Sequence, residues 1–533
     1  MGIIGLWDEV DRITTSARTT LAQESAKCMI ENGRPLRLAV DASILLFKVK
    51  HATEAAWRTS HFDGMNHAAK AFINNAKDIM LEGVEPVYVF DGPGRPPIKR
   101  GHRTVTREAK MLPFSTPVTR NDIEKSFEIG HVIALGRRLL NIMEIPIHDA
   151  PGEAEAECVA LERAGIVDGV LTTDGDALAF GGRIVLRYRG KVGDKDLRKV
   201  DAHQLEDLER NVMDWILLGW LSKGDYTDGL AGCGAKTALV IAKEIKAARP
   251  QLCPMLLGIA TSTKEHAQID GMMKGLRNSL TDAILSTCKG AGGKRETDFP
   301  SAKILGYYVR PLVSSIATLD EMKRTFWKAK AIDYPVLRQA TAEHFTWYNQ
   351  DRARQFLRNF APACLARDLL LYGHQSMDRS DLIQEAKPKK QKAGSASYIK
   401  VQFNALDVVP IDYDNEIFDP QGWYDVKNNQ DPHKPYTTEL PEFLVRWGAP
   451  SALETSCNAS ASKKRKSSAT SNEKASKKQK SDPVRQPLVA GTNASNSNRS
   501  MSVPNPSAPA TKSSISSRFP PSVSQPKDVI DLT

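Results

Sequence analysis

The 533-residue chain has no apolar run of about 18 residues, the length needed to cross a bilayer, so no membrane span is expected. Its opening stretch, MGIIGLWDEVDR, turns acidic by position 8, which does not fit a secretory leader. Leu6 stands where a myristoylation signal requires Ser or Thr. Cysteine is scarce and unpatterned: seven residues, at 28, 158, 233, 253, 288, 364 and 457, with no C-x-x-C pair. That excludes a disulfide framework or a Cys-rich zinc site and points to reduced thiols inside a cell. The bulk of the chain also lacks net charge. Of the formal +10, residues 456–533 hold +9, which leaves 60 basic against 59 acidic residues in 1–455. Any nucleic-acid surface on the body must therefore come from clustered charge. A nucleotide-binding P-loop is absent too. In GLAGCGAK (229–236), Ala235 separates Gly234 from Lys236, where the pattern G-x-x-x-x-G-K-[ST] joins them, and no strand leads in.

What is present is alternation. The stretches 36–43 (LRLAVDAS), 86–92 (PVYVFDG) and 168–176 (DGVLTTDGD) read as buried strands, short, apolar and ended by turn residues. Helical patterns such as 66–82 and 130–143 lie between them, so the fold class is α/β with a mostly parallel central sheet flanked by helices. Residues 235–372 read as predominantly helical. A Lys-rich linker (387–397) and a small β-rich unit follow. The remainder, rich in Ser, Pro, Asn and Lys, has little to bury and is expected to be disordered.

Each candidate strand ends in aspartate: Asp41, Asp91, and Asp174 with Asp176. Ligands of open α/β sheets bind at the carboxyl ends of the strands. Each Asp alone could cap the next helix. Three in series would make a strongly negative pocket that needs a counter-charge, and hard divalent cations with oxygen ligands supply one. The pattern points to metal-assisted phosphoryl chemistry. A further acidic stretch, PGEAEAEC (151–158), holds Glu153, Glu155 and Glu157. Helical spacing puts Glu153 and Glu157 on one face.

In order along the chain, MGIIGLW, AVDAS, VFDG, APGEAEAEC, TTDGDALAFG and GDYTDGLAGCGAKTA resemble the flap-endonuclease/XPG superfamily of structure-specific nucleases over residues 1–310. The resemblance implies a PIN-like nuclease core and a ligand set of Asp41, Asp91, Glu153, Glu155, Asp174, Asp176 and Asp225 for two Mg²⁺ ions, with Mn²⁺ able to substitute. It pairs Glu153 with Glu155 rather than Glu157. The stretch LLGWLSKGDY departs from the family's pattern by about three extra residues, which leaves Asp228 as an alternative to Asp225. The implied reaction is phosphodiester hydrolysis leaving a 5′-phosphate and a 3′-hydroxyl.

Residues 96–110 place Lys99, Arg100, Arg103 and Arg107 over about two helical turns. As a charge run this is a solvated face; in the family it begins the helical arch, with Lys99 and Arg103 the phosphate contacts nearest the reaction. GLAGCGAKTALVIAKEIK (229–246) resembles the family's helix–two-turn–helix. There Gly232 and Gly234 admit duplex phosphate, Lys236 and Lys243 contact it, and backbone carbonyls hold K⁺. Gly2 approaches DNA in the family, while Ile3, Ile4, Leu6 and Trp7 read mainly as core.

The 62 positions from Asp91 to Glu153 are too few for the XPG repair nucleases, and no Q-x-x-[IL]-x-x-F-F clamp motif is present. The arch stretch carries Pro113 and Pro117 and suits a branched substrate. PEFLVRWGAPSALE (441–454) resembles the YLVKWKG strand of chromodomains, with Tyr398, Phe403, Trp423 and Trp447 available as aromatics that read mainly as core. These features are most like GEN/Yen-type Holliday-junction resolvases. They imply a monomer in solution, a homodimer on branched DNA (junction, 5′ flap or fork), and nuclear location. The alternatives are a 5′ flap endonuclease or exonuclease, or a catalytically dead DNA-binding scaffold. KKRK (463–466) and KKQK (477–480) read as a bipartite nuclear signal, and the terminal VIDLT as a SUMO-binding strand. The expected domains are an N-terminal nuclease block (1–120), an internal nuclease block (121–228), the helix–two-turn–helix and helical region (229–372), a linker (373–397), a chromodomain-like module (398–455) and a basic tail (456–533).

Overall fold

The computed structural model describes residues 2–14, 18–45, 61–96, 98–99, 102–103, 120–188, 196–230, 232–248, 250–260, 301–327, 330–345, 347–389, 396–418 and 430–454, with isolated positions between 261 and 300. The chain divides into two units, Met1–Lys466 and Ser467–Thr533, and the second lies outside the described residues, as do the nuclear-signal, SUMO and disorder expectations.

The first unit is built on a seven-stranded sheet. Its strands are β1 (Arg18–Thr19), β2 (Leu36–Asp41), β3 (Val84–Phe90), β6 (Ile147–Asp149), β7 (Gly169–Leu171), β8 (Ile184–Tyr188) and β9 (Leu197–Asp201), in the order β1-β9-β8-β7-β2-β3-β6. The two strands between β3 and β6 in the chain, β4 (Ile98–Lys99) and β5 (His102–Arg103), form a separate ribbon. From β8 across to β6 every pairing is parallel; β9 and β1 close the edge antiparallel. Parallel strands need covered faces, and the side chains supply them by alternation. Leu38, Val40, Tyr88, Phe90, Leu171 and Leu186 enter one core. Ala39, Val87, Val89, Val170 and Val185 enter the other. The first core holds the helix His61–Leu81 and the long helix Gln350–His374; the second holds Ala154–Arg163, Val212–Leu221 and Ala235–Ala248.

Three expectations are corrected. The two-residue strands β4 and β5 pair antiparallel, Lys99 opposite His102 and Ile98 opposite Arg103, so helical spacing does not govern this part of the basic stretch. Arg100 and Arg107 lie outside the described residues. The expected linker 373–397 contains strand β10 (Glu385–Pro388), which joins β11 (Tyr398–Phe403) and β12 (Tyr436–Pro441) in a three-stranded antiparallel sheet. The chromodomain-like strand is a helix, Glu442–Gly448. Leu444, Val445 and Gly448 are its buried positions, spaced as a helix face, and a methyl on Gly448 would come within 2.4 Å of the Leu369 carbonyl oxygen. Three of the four aromatics read mainly as core lie among the described residues. Phe403 is core, Trp447 covers Gly373, the Tyr398 hydroxyl donates to Glu82, and Trp423 is outside the described residues.

Candidate active site

The carboxyl ends of four adjacent parallel strands converge at one edge. Asp41 ends β2, Asp91 follows β3, the turn after β6 leads to Glu153, and Asp174 and Asp176 follow β7. Of these four, β6 is the one the sequence reading missed, its three residues being too few for a pattern; β1, β8 and β9 of the same sheet were missed too.

Glu153 is the N-cap of the helix Ala154–Arg163, with extended backbone (φ −86°, ψ 138°), and its side chain makes no cap bond. The Asp91 carboxylate takes over part of that task, accepting from the Ala154 amide at 2.9 Å. Glu153 is thereby released to accept from the Tyr226 hydroxyl. Glu155 sits in the first helical turn, 2% exposed. Glu157 is equally buried but faces elsewhere: it accepts from the Ser314 amide at 2.8 Å and lies 2.8 Å from His148 Nε2. Those two bonds outweigh the opposing effect of burial and hold its carboxyl below the usual range. The cap geometry removes Glu153 from the helical repeat, so its spacing to Glu157 does not put the two on one face.

A chain of short bonds organises the remaining acids. Thr172 Oγ1 donates to Asp41 at 2.8 Å and accepts from the Asp174 amide at 3.0 Å. Asp174 accepts from the Asp176 amide at 3.1 Å, and Asp176 accepts from the Ile3 amide at 2.9 Å. Ser43 donates to Asp41 through both its amide and its hydroxyl. The N-terminal segment thus docks directly on the carboxylates. Gly2 has φ +76°, and a methyl there would lie 1.9 Å from Asp174 Oδ1, so only glycine fits. Ile3 and Leu6 are core as expected, and Trp7 donates to the Thr173 carbonyl at 2.9 Å. Ile4, expected in the core, is 57% exposed.

Asp225 is buried at 1% exposure, whereas Asp228 is exposed and ion-paired to Lys223 at 2.8 Å. Asp225 is thus one of the buried acids and Asp228 is not. Two electrostatic neighbourhoods result. Burial, then Glu155 and Asp91, push the Asp41 carboxyl well above its usual range. Burial, then Glu153 and Asp176, raise the Tyr226 phenol, and Tyr308 is raised by burial, Asp176, Asp225, Glu153 and Asp174. Arg95, 3.0 Å from Asp91, is a cation at the rim.

The donor set fits hard divalent cations. It consists of carboxylates backed by hydroxyl and amide donors, without a soft ligand among the seven. Among the described residues no three His, Cys, Asp or Glu side chains converge into a ready-made cage. Mg²⁺ does not require one, because it keeps several waters and takes one or two carboxylates together with substrate phosphate.

The helices Val212–Leu221 and Ala235–Ala248 pack together, joined by the glycine-rich turn. Gly229 (φ +69°) lies so close to the Ser222 carbonyl that a methyl would meet it at 1.9 Å. Gly232 and Gly234 have open space beside them. Lys236 and Lys243 line a groove of about 490 Å³ with Arg12, Arg210 and Val240. Arg12 and Arg210 were not foreseen; they come from separate segments, ion-paired to Glu9 and Asp214.

Comparison with known proteins agrees with this geometry. The XPG N-terminal domain matches residues 1–111 and the XPG I-region residues 144–224. Flap endonuclease 1 of Glycine max is 31% identical over 255 residues, covering 42% of this chain and 64% of that protein. Flap endonuclease 1 of Drosophila mojavensis is 31% identical over 277 residues, covering 46% and 65%. The chain thus spans under two thirds of the length of these curated relatives. Among solved structures, the eukaryotic junction-resolving enzyme GEN-1 binding with potassium aligns with TM-score 0.62 and 25% identity, covering 86% of this chain and 100% of that one. The Holliday junction-resolving enzyme GEN1 in complex with product DNA, Mg²⁺ and Mn²⁺ ions aligns equally well, with TM-score 0.62, 25% identity and the same coverage.

Proposed function

Because the chain belongs to the flap-endonuclease/XPG superfamily, we propose that it is a structure-specific DNA endonuclease that resolves Holliday junctions by paired symmetric nicks and also cuts 5′ flaps and replication forks. The observation that carries the reading is the burial of acids around the carboxyl ends of the parallel strands: Asp41, Glu153, Glu155, Asp174, Asp176 and Asp225 are nearly fully buried. A burial of like charge on that scale is costly unless cations neutralise it. Two divalent ions, Mg²⁺ or Mn²⁺, would activate water and stabilise the leaving oxygen. Asp41, Asp91, Glu153, Glu155, Asp174, Asp176 and Asp225 would hold them. Thr172 and Ser43 orient Asp41, and the Ile3 amide orients Asp176.

DNA would reach the acids across the N-terminal segment at Gly2. Lys99, Arg100, Arg103 and Arg107 would contact phosphate near the cut, and Gly232, Gly234, Lys236 and Lys243 would grip the duplex away from it. K⁺ at the glycine-rich turn fits the potassium-bound relative. Phosphate contacts of this kind add salt-dependent affinity rather than sequence choice. A monomer in solution, a homodimer on the two-fold junction, nuclear location and SUMO binding through VIDLT complete the proposal.

Junction resolution is favoured by the junction-resolving neighbours, which align over 86% of this chain. The second reading, a 5′ flap nuclease, is favoured by the names of the curated relatives, which match 42–46% of it. Cleavage of a junction, a fork and a flap, measured side by side in Mg²⁺, separates the two. The proposal expects the junction to be cut and Asp41→Asn to be inactive on all three. Cleavage of the flap alone would favour the second reading, and an active Asp41→Asn would remove the metal role.

A further inference from the structure

Tyr308 belongs to the helix Ala302–Val309, outside every segment in which sequence alone places an acidic ligand. It is 1% exposed, and its hydroxyl has no hydrogen-bond partner in the structure. Buried hydroxyls are nearly always hydrogen-bonded, because desolvating one without compensation is costly. The hydroxyl is held in place by its surroundings. Its ring packs edge-on against Tyr226, with centroids 4.9 Å apart, and against Phe180 at 6.1 Å. Tyr226 in turn donates to Glu153.

Two glycines make room for the hydroxyl. A methyl on Gly219, inside the helix Val212–Leu221, would lie 2.8 Å from Tyr308 Oη, and a methyl on Gly224 2.7 Å from it. Gly224 immediately precedes Asp225. Trp220 and Leu221 complete the helix, Ser222 bonds back to the Leu218 carbonyl at 2.6 Å, and the chain must then return within two residues to present Asp225. Tyr308 Oη fills the inside of that return. The charged groups whose fields act on it are Asp174, Asp176, Asp225 and Glu153, all carboxylates.

We infer that Tyr308 is a positioning residue for the divalent-ion seat: its hydroxyl, lodged between Gly219 and Gly224, fixes the turn that presents Asp225 and gives this side of the carboxylate cluster a hydrogen-bond donor. The inference rests on the reading of the seven acids as an ion site. Groups that orient a metal's ligands typically change ion affinity by about 10- to 100-fold when removed.

The test uses full-length protein and Tyr308→Phe, which keeps the ring and removes only the hydroxyl. Mn²⁺ binding without DNA is followed by paramagnetic resonance or calorimetry, the Mg²⁺ dependence of junction cleavage is measured in parallel, and junction affinity is measured in Ca²⁺. The expected result is Mn²⁺ affinity weakened about tenfold or more. The half-saturating Mg²⁺ should rise by a similar factor, cleavage should be restored at high Mg²⁺, and junction affinity should be unchanged. Unaltered Mn²⁺ affinity in Tyr308→Phe, with wild type binding normally, overturns the inference and leaves the ion site standing. Lost cleavage that high Mg²⁺ does not restore overturns it as well, because the hydroxyl would then act on something other than the ion seat. Absence of saturable Mn²⁺ binding by wild type overturns the ion-site reading and this inference together.

Discussion

Single residues at the sheet edge divide into those that face the cluster and those that hold the walls. Glu153, Glu155 and Glu157 lie within five positions, and all are buried. Glu153→Gln and Glu155→Gln are expected to abolish cleavage while junction binding in Ca²⁺ persists. Glu157→Gln is expected to cleave at a rate near wild type, since an amide can still accept from the Ser314 N–H. Glu157→Ala, which leaves that amide without its acceptor, should cost about 1–3 kcal/mol of stability, read from denaturant unfolding. Periodicity alone would pair 153 with 157. It fails because Glu153 is a cap rather than a helical residue, and a cap's side chain direction is set by its extended backbone. The seven acids were nonetheless legible as candidates, because the family pattern names them in order, and six of them are nearly fully buried. Tyr226, Tyr308 and Thr172 were not, since a lone hydroxyl carries no sequence signal and gains its meaning only from the carboxylate it meets.

At the scale of elements, the strands were legible where apolar residues dominate a stretch of six or seven, as in β2 and β3. Strand β6 was not, being three residues whose outer member, Asp149, is bound bidentately by Arg137. The helix Glu442–Gly448 was misread as a strand because Phe443, Leu444 and Val445 are apolar in succession; packing against Leu369 decides for the helix. A testable joint lies at the opposite end of the sheet from the acids. Asp168, just before β7, accepts from both terminal nitrogens of Arg34 at 2.8 Å and from the Arg37 amide at 2.9 Å. Burial opposes its ionisation, but the Arg34 and Arg37 bonds prevail and hold its carboxyl below the ordinary 3.8. A depressed carboxyl contributes stability that is present above pH 3.8 and lost as pH falls through the folded-state value. Asp168→Asn should therefore cost about 1–3 kcal/mol at neutral pH. The difference in unfolding free energy from wild type should shrink as pH is taken below 3.8. A gap that stays constant across that range would contradict the assignment.

For the first unit as a whole, the surprise is continuity. The expected linker and separate module are instead part of one core: Ile399, Val401 and Phe403 of β11 belong to the same buried cluster as Leu365 and Leu369 of the long helix and Phe72 of the helix beside β3. Sequence could not show this, since a Lys-rich stretch reads as solvated wherever it lies. Removal of residues 385–454 should strip that core and abolish a cooperative thermal transition. Truncation after Lys466, at the boundary between the two units, should leave Tm unchanged. Equal Tm values for both deletions would contradict the shared core. The central claim concerns what two copies of this molecule do on one junction, and a supercoiled plasmid extruding a cruciform tests it most directly. Paired nicking within one bound complex converts the plasmid to linear product, with symmetric 5′-phosphate ends, and Asp41→Asn yields none. Nicked circles alone, at every enzyme concentration, would contradict the account.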